Sequence, residues 1–368
     1  MAGLYIHIPF CRSKCAYCDF YSGPFQNRAD AFVEALGKEW FLRRSELAGK
    51  PIRTIYIGGG TPSLLTESQL ARIADWLPVG RQLTEFTIEA NPDDVTSDKV
   101  AAWRRMGINR VSMGVQSLND SELAAIGRRH NAEAAISAYE TLRAGGVDNI
   151  SLDLIFGLPG QTLSSWQSSL DAVLSLHPEH LSAYMLSYEP GTRLWAARHA
   201  GKIKETPVEV LEQMYNYLCH AARRAGYNHY EISNFAQPHR RSRHNSAYWA
   251  GTPYLGLGPG AHSCTAPGLR SYNPSNLSSY LSALGDGHTC HVSEPETITE
   301  QLNDRIFTAL RTTRGLRLTD LPPEESADVL RQAVVALRVG NLRRVGDRLV
   351  IPEERFLVSD AVIRDLLL

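Results

Sequence analysis

Over the first 225 residues, short runs dense in Ile, Val, Tyr and Phe alternate with longer stretches whose apolar residues recur every three to four positions. The short runs are LYIHI (4–8), RTIYI (53–57), EFTIEA (85–90), RVSMGV (110–115), NISLDLIF (149–156) and HLSAYMLSY (180–188). Bounded by Gly, Pro or Asn, they predict β-strands. The longer stretches predict helices over roughly 28–47, 66–77, 97–106, 131–145, 162–176 and 207–225. In TESQLARIADWL, Thr66 and Gln69 form a capping-box pattern, and Leu70, Ile73 and Leu77 mark one apolar face.

Six successive βα units imply a parallel sheet with right-handed crossovers. A full eight-unit barrel needs about 250 residues. The expected fold class is therefore α/β, a partial (β/α)6 barrel over 1–225. Residues 226–296, rich in Gly, Pro, Ser and Asn, read as extended segments and loops laid over it. Residues 297–368 read as helix, helix, hairpin (LRRV-GD-RLVI, 342–351) and helix, a small winged-helix-like domain.

Polar or glycine-rich chemistry collects at the carboxyl ends of all six strands, the rim on which barrel sites are built. Three cysteines follow the first strand, GGGTPS (58–63) the second, and SYEPGT (187–192) the sixth. The third, fourth and fifth carry Glu89, Gln116 and Asp153. Carboxylates set among apolar strand residues need a reason, because an unpaired one is costly to bury.

The chain of 368 residues is 43% hydrophobic and 21% charged with a formal charge of −1, the balance of an ordinary soluble protein. That charge implies no polyelectrolyte partner, and no nucleic acid is expected. Arg343, Arg344 and Arg348 on the hairpin read as a solvated face. No signal h-region or membrane-spanning apolar run is visible, so the chain is expected to be cytoplasmic and not integral to a membrane, with peripheral contact left open. In a reducing compartment, clustered cysteines point to metal or redox chemistry rather than disulfides. Cys219, Cys264 and Cys290 read as small buried hydrophobes.

Cys11, Cys15 and Cys18 are spaced C-x3-C-x2-C. Structural zinc takes four ligands, and His7, a conceivable fourth, reads better as a packed or hydrogen-bonded residue. Three thiolates suit a 4Fe–4S cluster with one iron left open. This motif after the first strand, with Tyr17 before the last cysteine and GGGTP at 58–62, resembles the radical S-adenosylmethionine (SAM) superfamily. There the open iron chelates the methionyl moiety, and a partial (β/α)6 barrel is the usual core. YIHIPFC, GGGTPS, EANPD, GVQSL, IGRRH and DLIFGLPGQT together resemble the coproporphyrinogen dehydrogenase family and its heme-chaperone relatives over nearly the whole chain. The resemblance implies SAM contacts at Tyr5, Tyr17, Gly59, Gly60, Thr61, Glu89, Gln116, Arg128 and Asp153. Some of these contact a second SAM in the dehydrogenase. From the residues alone, Arg128 could instead pair with Glu122, and Gln116 could cap the following loop.

Two departures distinguish the branches. The dehydrogenases carry an N-terminal extension and a further cysteine two positions after the third; here that position is Phe20. RHNSAYW (243–249) matches the H-N-x-x-Y-W motif associated with heme in the HemW-type heme-chaperone branch. His244 offers an imidazole to iron, Tyr248 and Trp249 offer aromatic surface, and Arg240, Arg241 and Arg243 could pair with propionates. His220, His229, His239 and His262 remain competing ligands. The expected function is a heme chaperone with cluster, SAM and heme, delivering heme to heme-dependent membrane or respiratory proteins. The alternative is oxygen-independent coproporphyrinogen III dehydrogenation, in which a 5′-deoxyadenosyl radical abstracts a propionate hydrogen before decarboxylation. Phe20 and the short N-terminus lean against that activity.

Overall fold

The structure is a computed structural model describing residues 1–78, 80 and 82–368. Its first six strands are β1 (Ala2–Ile8), β2 (Ile52–Gly59), β3 (Glu85–Ala90), β4 (Arg110–Gln116), β5 (Ile150–Phe156) and β6 (His180–Met185). They are parallel and adjacent in chain order, the six-unit partial barrel that the sequence pattern predicts. Helices Ala29–Arg43, Glu67–Trp76, Ser97–Arg105, Ala132–Ala144, Leu163–Ser175 and Val208–Arg224 follow the strands in turn. The Thr66–Gln69 capping box forms as its sequence predicts.

Strand alternation explains how one sheet carries both a core and a site. Leu4, Ile6 and Ile8 of β1 are fully buried, as are Ile55 and Ile57, Phe86 and Ile88, Val111 and Met113 on the next three strands. Each such side chain contributes about 1.5–3 kcal/mol of burial. The intervening residues face the other way and are polar: Tyr5, Tyr56, Thr87, Glu89, Arg110, Ser112 and Asp153. The register brings Tyr5 beside Tyr56, Thr87 beside Arg110, and Glu89 beside Ser112. The concave face of the sheet is thus a polar interior.

The extended segments of residues 226–296 lengthen the sheet at both edges. β7 (Asn228–Glu231) and β8 (Asn234–Ala236) continue it beyond β6. β9 (Tyr254–Leu257), β10 (His262–Ala266), β11 (Leu269–Tyr272) and β12 (Val292–Pro295) continue it beyond β1, giving twelve strands. Two helices, Arg243–Trp249 and Leu277–Gly285, lie in the same region. The C-terminal part contains helices Ile298–Leu310, Pro323–Gln332 and Ser359–Arg364. They accompany a small antiparallel sheet of β13 (Leu316–Arg317), β14 (Arg343–Val345) and β15 (Arg348–Val350). No described helix is long and apolar enough to cross a membrane.

Candidate functional site

The cysteine loop is pinned by backbone hydrogen bonds from distant segments. Cys11 N donates to Gly23 O at 2.9 Å, Ala16 N to Ile126 O at 2.9 Å, and Leu194 N to Ala16 O at 2.8 Å. Tyr17 packs against Ile126, Ile155 and Leu158 beneath it. The three thiols are free and half-buried. Cys11 Sγ lies 3.2 Å from Thr61 Oγ1, and Cys15 Sγ accepts from Arg128 Nη1 at 3.5 Å. Burial pushes the Cys18 thiol up to about 11, with the neighbouring Cys15 and Cys11 adding to it. A cationic centre would displace that proton on binding. Among the described residues no three His, Cys, Asp or Glu converge as on a single ion. His7 is committed elsewhere: its Nδ1 meets Tyr5 OH at 3.1 Å and its Nε2 meets Tyr21 O at 2.8 Å.

The glycine segment is held tightly against the start of the loop. Gly59 has φ +102°, and a Cβ there would lie 2.5 Å from the His7 ring. At Gly60 it would meet Phe10 O at 2.6 Å and Ile8 O at 2.7 Å. These glycines are therefore required by the chain's own packing, independently of any ligand. Gly59 N donates to Glu89 Oε2 at 3.0 Å, and Tyr56 OH donates to Oε1 at 2.8 Å. Burial raises Glu89 to about 7, against the opposing effect of the Tyr56 hydrogen bond. Burial likewise raises Asp153, against hydrogen bonds from Ser182, Ser112 and Ser151.

Arg128 does not pair with Glu122. Its Nη2 donates to Asn91 Oδ1 and to Gly114 O, both at 2.6 Å. The Glu122 carboxylate is taken by Ser117, Gln161 and Ser165. Asn91, which sequence reasoning passed over, also reaches Thr61 Oγ1 through Nδ2 at 3.4 Å. It thereby joins Thr61, beside Cys11, to Arg128, beside Cys15. The signal was available in EANPD, a polar residue before proline at the end of a strand. Gln116 adopts φ +69° at a bulge in β4, with its amide folded over Gly114. Strained non-glycine backbone of this kind costs about 1–3 kcal/mol and collects at functional sites.

The H-N-x-x-Y-W motif is a helix, not a loop, and it lies across the amino ends of β1 and β2. The Glu85 carboxylate, at the amino end of β3, accepts from Arg243 N and His244 N at 2.8 Å each, satisfying the helix's first donors. The His244 ring turns onto the sheet: Nδ1 lies 3.0 Å from Thr54 Oγ1, and the ring stands 5.2 Å from that of Tyr56. Burial, with Arg110 second, pushes this imidazole down to about 4, leaving it neutral at pH 7. Tyr248 and Trp249 instead line a cavity of about 620 Å³ between the motif helix, β9–β11 and the C-terminal part. The three motif residues therefore do not share one surface.

The cysteine loop and the residues around it match known proteins. The profile of the Radical SAM superfamily matches residues 5–173. The Heme chaperone HemW of Bacillus subtilis (strain 168) is 38% identical over 322 residues, covering 86% of this chain and 85% of that protein. The Heme chaperone HemW of Mycobacterium tuberculosis (strain ATCC 25618 / H37Rv) is 34% identical over 374 residues, covering 99% and 94%. Coproporphyrinogen III oxidase (HemN) from Escherichia coli, described as a radical SAM enzyme, superposes over 100% of this chain and 90% of its own. The TM-score is 0.85 at 23% identity, a likeness of fold. By sequence over most of its length, the chain belongs to the HemW heme-chaperone family of the radical SAM superfamily.

Proposed function

We propose that this chain is a heme chaperone with a 4Fe–4S cluster on Cys11, Cys15 and Cys18 and SAM at the open iron. Tyr5, Tyr17, Gly59, Gly60, Thr61, Glu89, Gln116, Arg128 and Asp153 surround the SAM. Heme is taken up beside Tyr248 and Trp249 and passed to heme-dependent membrane or respiratory proteins. The roles divide along the chain: 1–225 holds cluster and SAM, 226–296 brings the aromatic motif, and 297–368 completes the wall facing it.

The observation that carries this reading is the state of the thiols. Three half-buried, unpaired sulfurs stand on one pinned loop, two within reach of Thr61 and Arg128, while His7 is spent on Tyr5 and Tyr21. That donor set suits a cluster with one open iron. When bound and reduced, such a cluster supplies the electron that cleaves the SAM sulfonium bond. The chain's own contribution is orientation. Asn91 fixes Arg128 and Thr61 against the sulfurs, and Tyr56 and Gly59 hold the Glu89 carboxylate in one pose.

Anaerobic reconstitution followed by hemin titration tests the reading. The reduced protein should give a cluster paramagnetic resonance signal that changes on adding SAM and is lost in Cys15→Ser. Hemin should form a saturable, spectrally distinct complex; without one, the chaperone reading fails. The full-length likeness to coproporphyrinogen III oxidase favours a second reading, that decarboxylating activity. Phe20, 62% exposed, places an apolar ring where the decarboxylating relatives have a further thiol. Anaerobic conversion of coproporphyrinogen III to protoporphyrinogen in the same sample would establish the second reading over the first.

A further inference from the structure

Arg110 carries a charge that the cluster and SAM reading leaves unused. It opens β4 at the amino end, about 20 Å along the strand from Gln116 at the rim. Alternation turns it into the polar interior, where it is 2% exposed. Among the described residues it joins no ion pair, and its buried Nε has no hydrogen-bond partner. Thr87, its register partner on β3, is fully buried, and its Oγ1 is orphaned in the same way. A guanidinium nitrogen and a hydroxyl on neighbouring strands thus stand in one interior without partners. A buried cation in that state is costly unless an anion accompanies it.

Four carboxylates lie in or beside this interior, and each is committed elsewhere. Glu85 accepts from Arg243 N and His244 N, and Glu89 from Tyr56 OH and Gly59 N. Asp153 accepts from Ser112 Oγ at 3.0 Å and Ser151 Oγ at 3.2 Å. Glu231 pairs with Arg311 at 3.2 Å and accepts from Ser233 N at 3.0 Å. Burial raises Glu89 and Asp153, with Arg110 a lesser opposing influence, so both are reluctant counter-charges. The neighbouring wall is neutral. Burial, then Arg110, pushes the His180 imidazole well below its ordinary range, and both its nitrogens are spent: Nδ1 on Ser151 Oγ at 2.8 Å, Nε2 on Tyr230 OH at 2.7 Å. Burial also raises the Tyr56 and Tyr230 hydroxyls, which keep their protons. Tyr5, Tyr56, Glu89 and Asp153 stay partly accessible although they point inward, so solvent-sized species enter from the carboxyl end. Thr87, Ser151 and His180 close the interior at the level of Arg110.

We propose that the floor of the barrel is an anion site, where Arg110 and Thr87 hold one compact monovalent anion the size of chloride or formate. The guanidinium gives charge-assisted donors and the Thr87 hydroxyl a further one. The anion balances the one interior cation that no carboxylate answers, and by binding only the folded chain it stabilises the barrel by mass action.

The test pairs solution and crystal measurements on the full chain. Formate or bromide, replacing a bulky sulfonate at constant ionic strength, should raise the wild-type melting midpoint saturably, by about 2 °C or more. Arg110→Met should melt no lower than wild type in the sulfonate buffer and should lose the response. Thr87→Val keeps the guanidinium and the side-chain volume; it should fold and need at least about threefold more anion for half the effect, which keeps the test open if Arg110→Met does not fold. Bromide-soaked crystals should show anomalous density within hydrogen-bond distance of Arg110 Nε. A wild-type midpoint indifferent to the anion overturns the site, as does a response that both variants retain. So does a bromide peak without any response in solution, which is binding at crystal concentration only.

Discussion

Glu89 and Gln116 are placed against the gradient of stability. Glu89 is raised to about 7 by burial, so between an unfolded carboxylate's pKa near 4.3 and 7 the folded state holds a proton that the unfolded state has lost. Stability contributed at this position is therefore greatest at low pH and falls as pH rises through that window. Glu89→Gln should remove the slope: its urea midpoint, measured from pH 5 to pH 8, should decline less than that of wild type, and equal declines would refute the shifted titration. At Gln116 the conflict is in the backbone, with φ +69°. Gln116→Gly should relieve strain and stabilise the fold by up to about 1 kcal/mol while weakening SAM binding, read by calorimetry. Loss of stability in that variant would mean that the side chain supports the fold rather than the site. The sequence marks these positions by residue type, since a carboxylate or amide at a strand end is conspicuous. It conceals Asn91, because a polar residue before proline is what any loop would show.

The six βα units are legible in the pattern of residues because each strand is flanked on both sides by apolar neighbours and each helix has a periodic face. EFTIEA (85–90) coincides with β3, and the helix read over 131–145 forms at Ala132–Ala144. The edge strands were not legible. β8 has three residues and β7, β9 and β11 have four, so alternation has no length in which to show, and pairing depends on partners far away in the chain. What fastens the β9–β11 edge is a buried ion pair on the helix Ala29–Arg43. Glu39 accepts from Gly258 N at 2.8 Å, Asn273 Nδ2 at 2.7 Å and Tyr280 OH at 2.7 Å. Arg43, 3.0 Å from Glu39, donates to Gly256 O, Ser263 Oγ and Ser271 Oγ. Arg43 keeps its ion pair with Glu46 at 2.8 Å, but Gly258 N, Asn273 Nδ2 and Tyr280 OH lose their acceptor in the core, so Glu39→Ala should cost about 3 kcal/mol in chemical denaturation. A single variant within 1 kcal/mol of wild type would mean that the network carries little of the edge's attachment.

At the scale of the whole molecule, the proposed cluster and tetrapyrrole sites lie at opposite ends of the same strands. His244 packs against Gly3 near the amino end of β1, and the cysteine loop follows Ile8 at its carboxyl end. Five residues at about 3.3 Å each separate these levels by roughly 17 Å along the strand. Hydrogen abstraction requires reacting atoms about 3–3.5 Å apart, so a radical formed at the carboxyl end would not reach a macrocycle held, as proposed, beside Tyr248 and Trp249. With the motif helix lying between the polar interior and the cavity they line, this geometry suits carriage of the macrocycle rather than chemistry upon it. Sites this far apart with no shared side chains should act additively. Replacing Cys11, Cys15 and Cys18 together by Ser should abolish the cluster signal yet leave hemin affinity within about threefold. Conversely, Tyr248→Ala combined with Trp249→Ala should weaken hemin binding yet keep the cluster and its response to SAM. A tenfold fall in hemin affinity on losing the cluster corresponds to about 1.4 kcal/mol of coupling. A coupling of that size would require the motif helix to transmit cluster occupancy through His244, Thr54 and Tyr56 to the cavity wall.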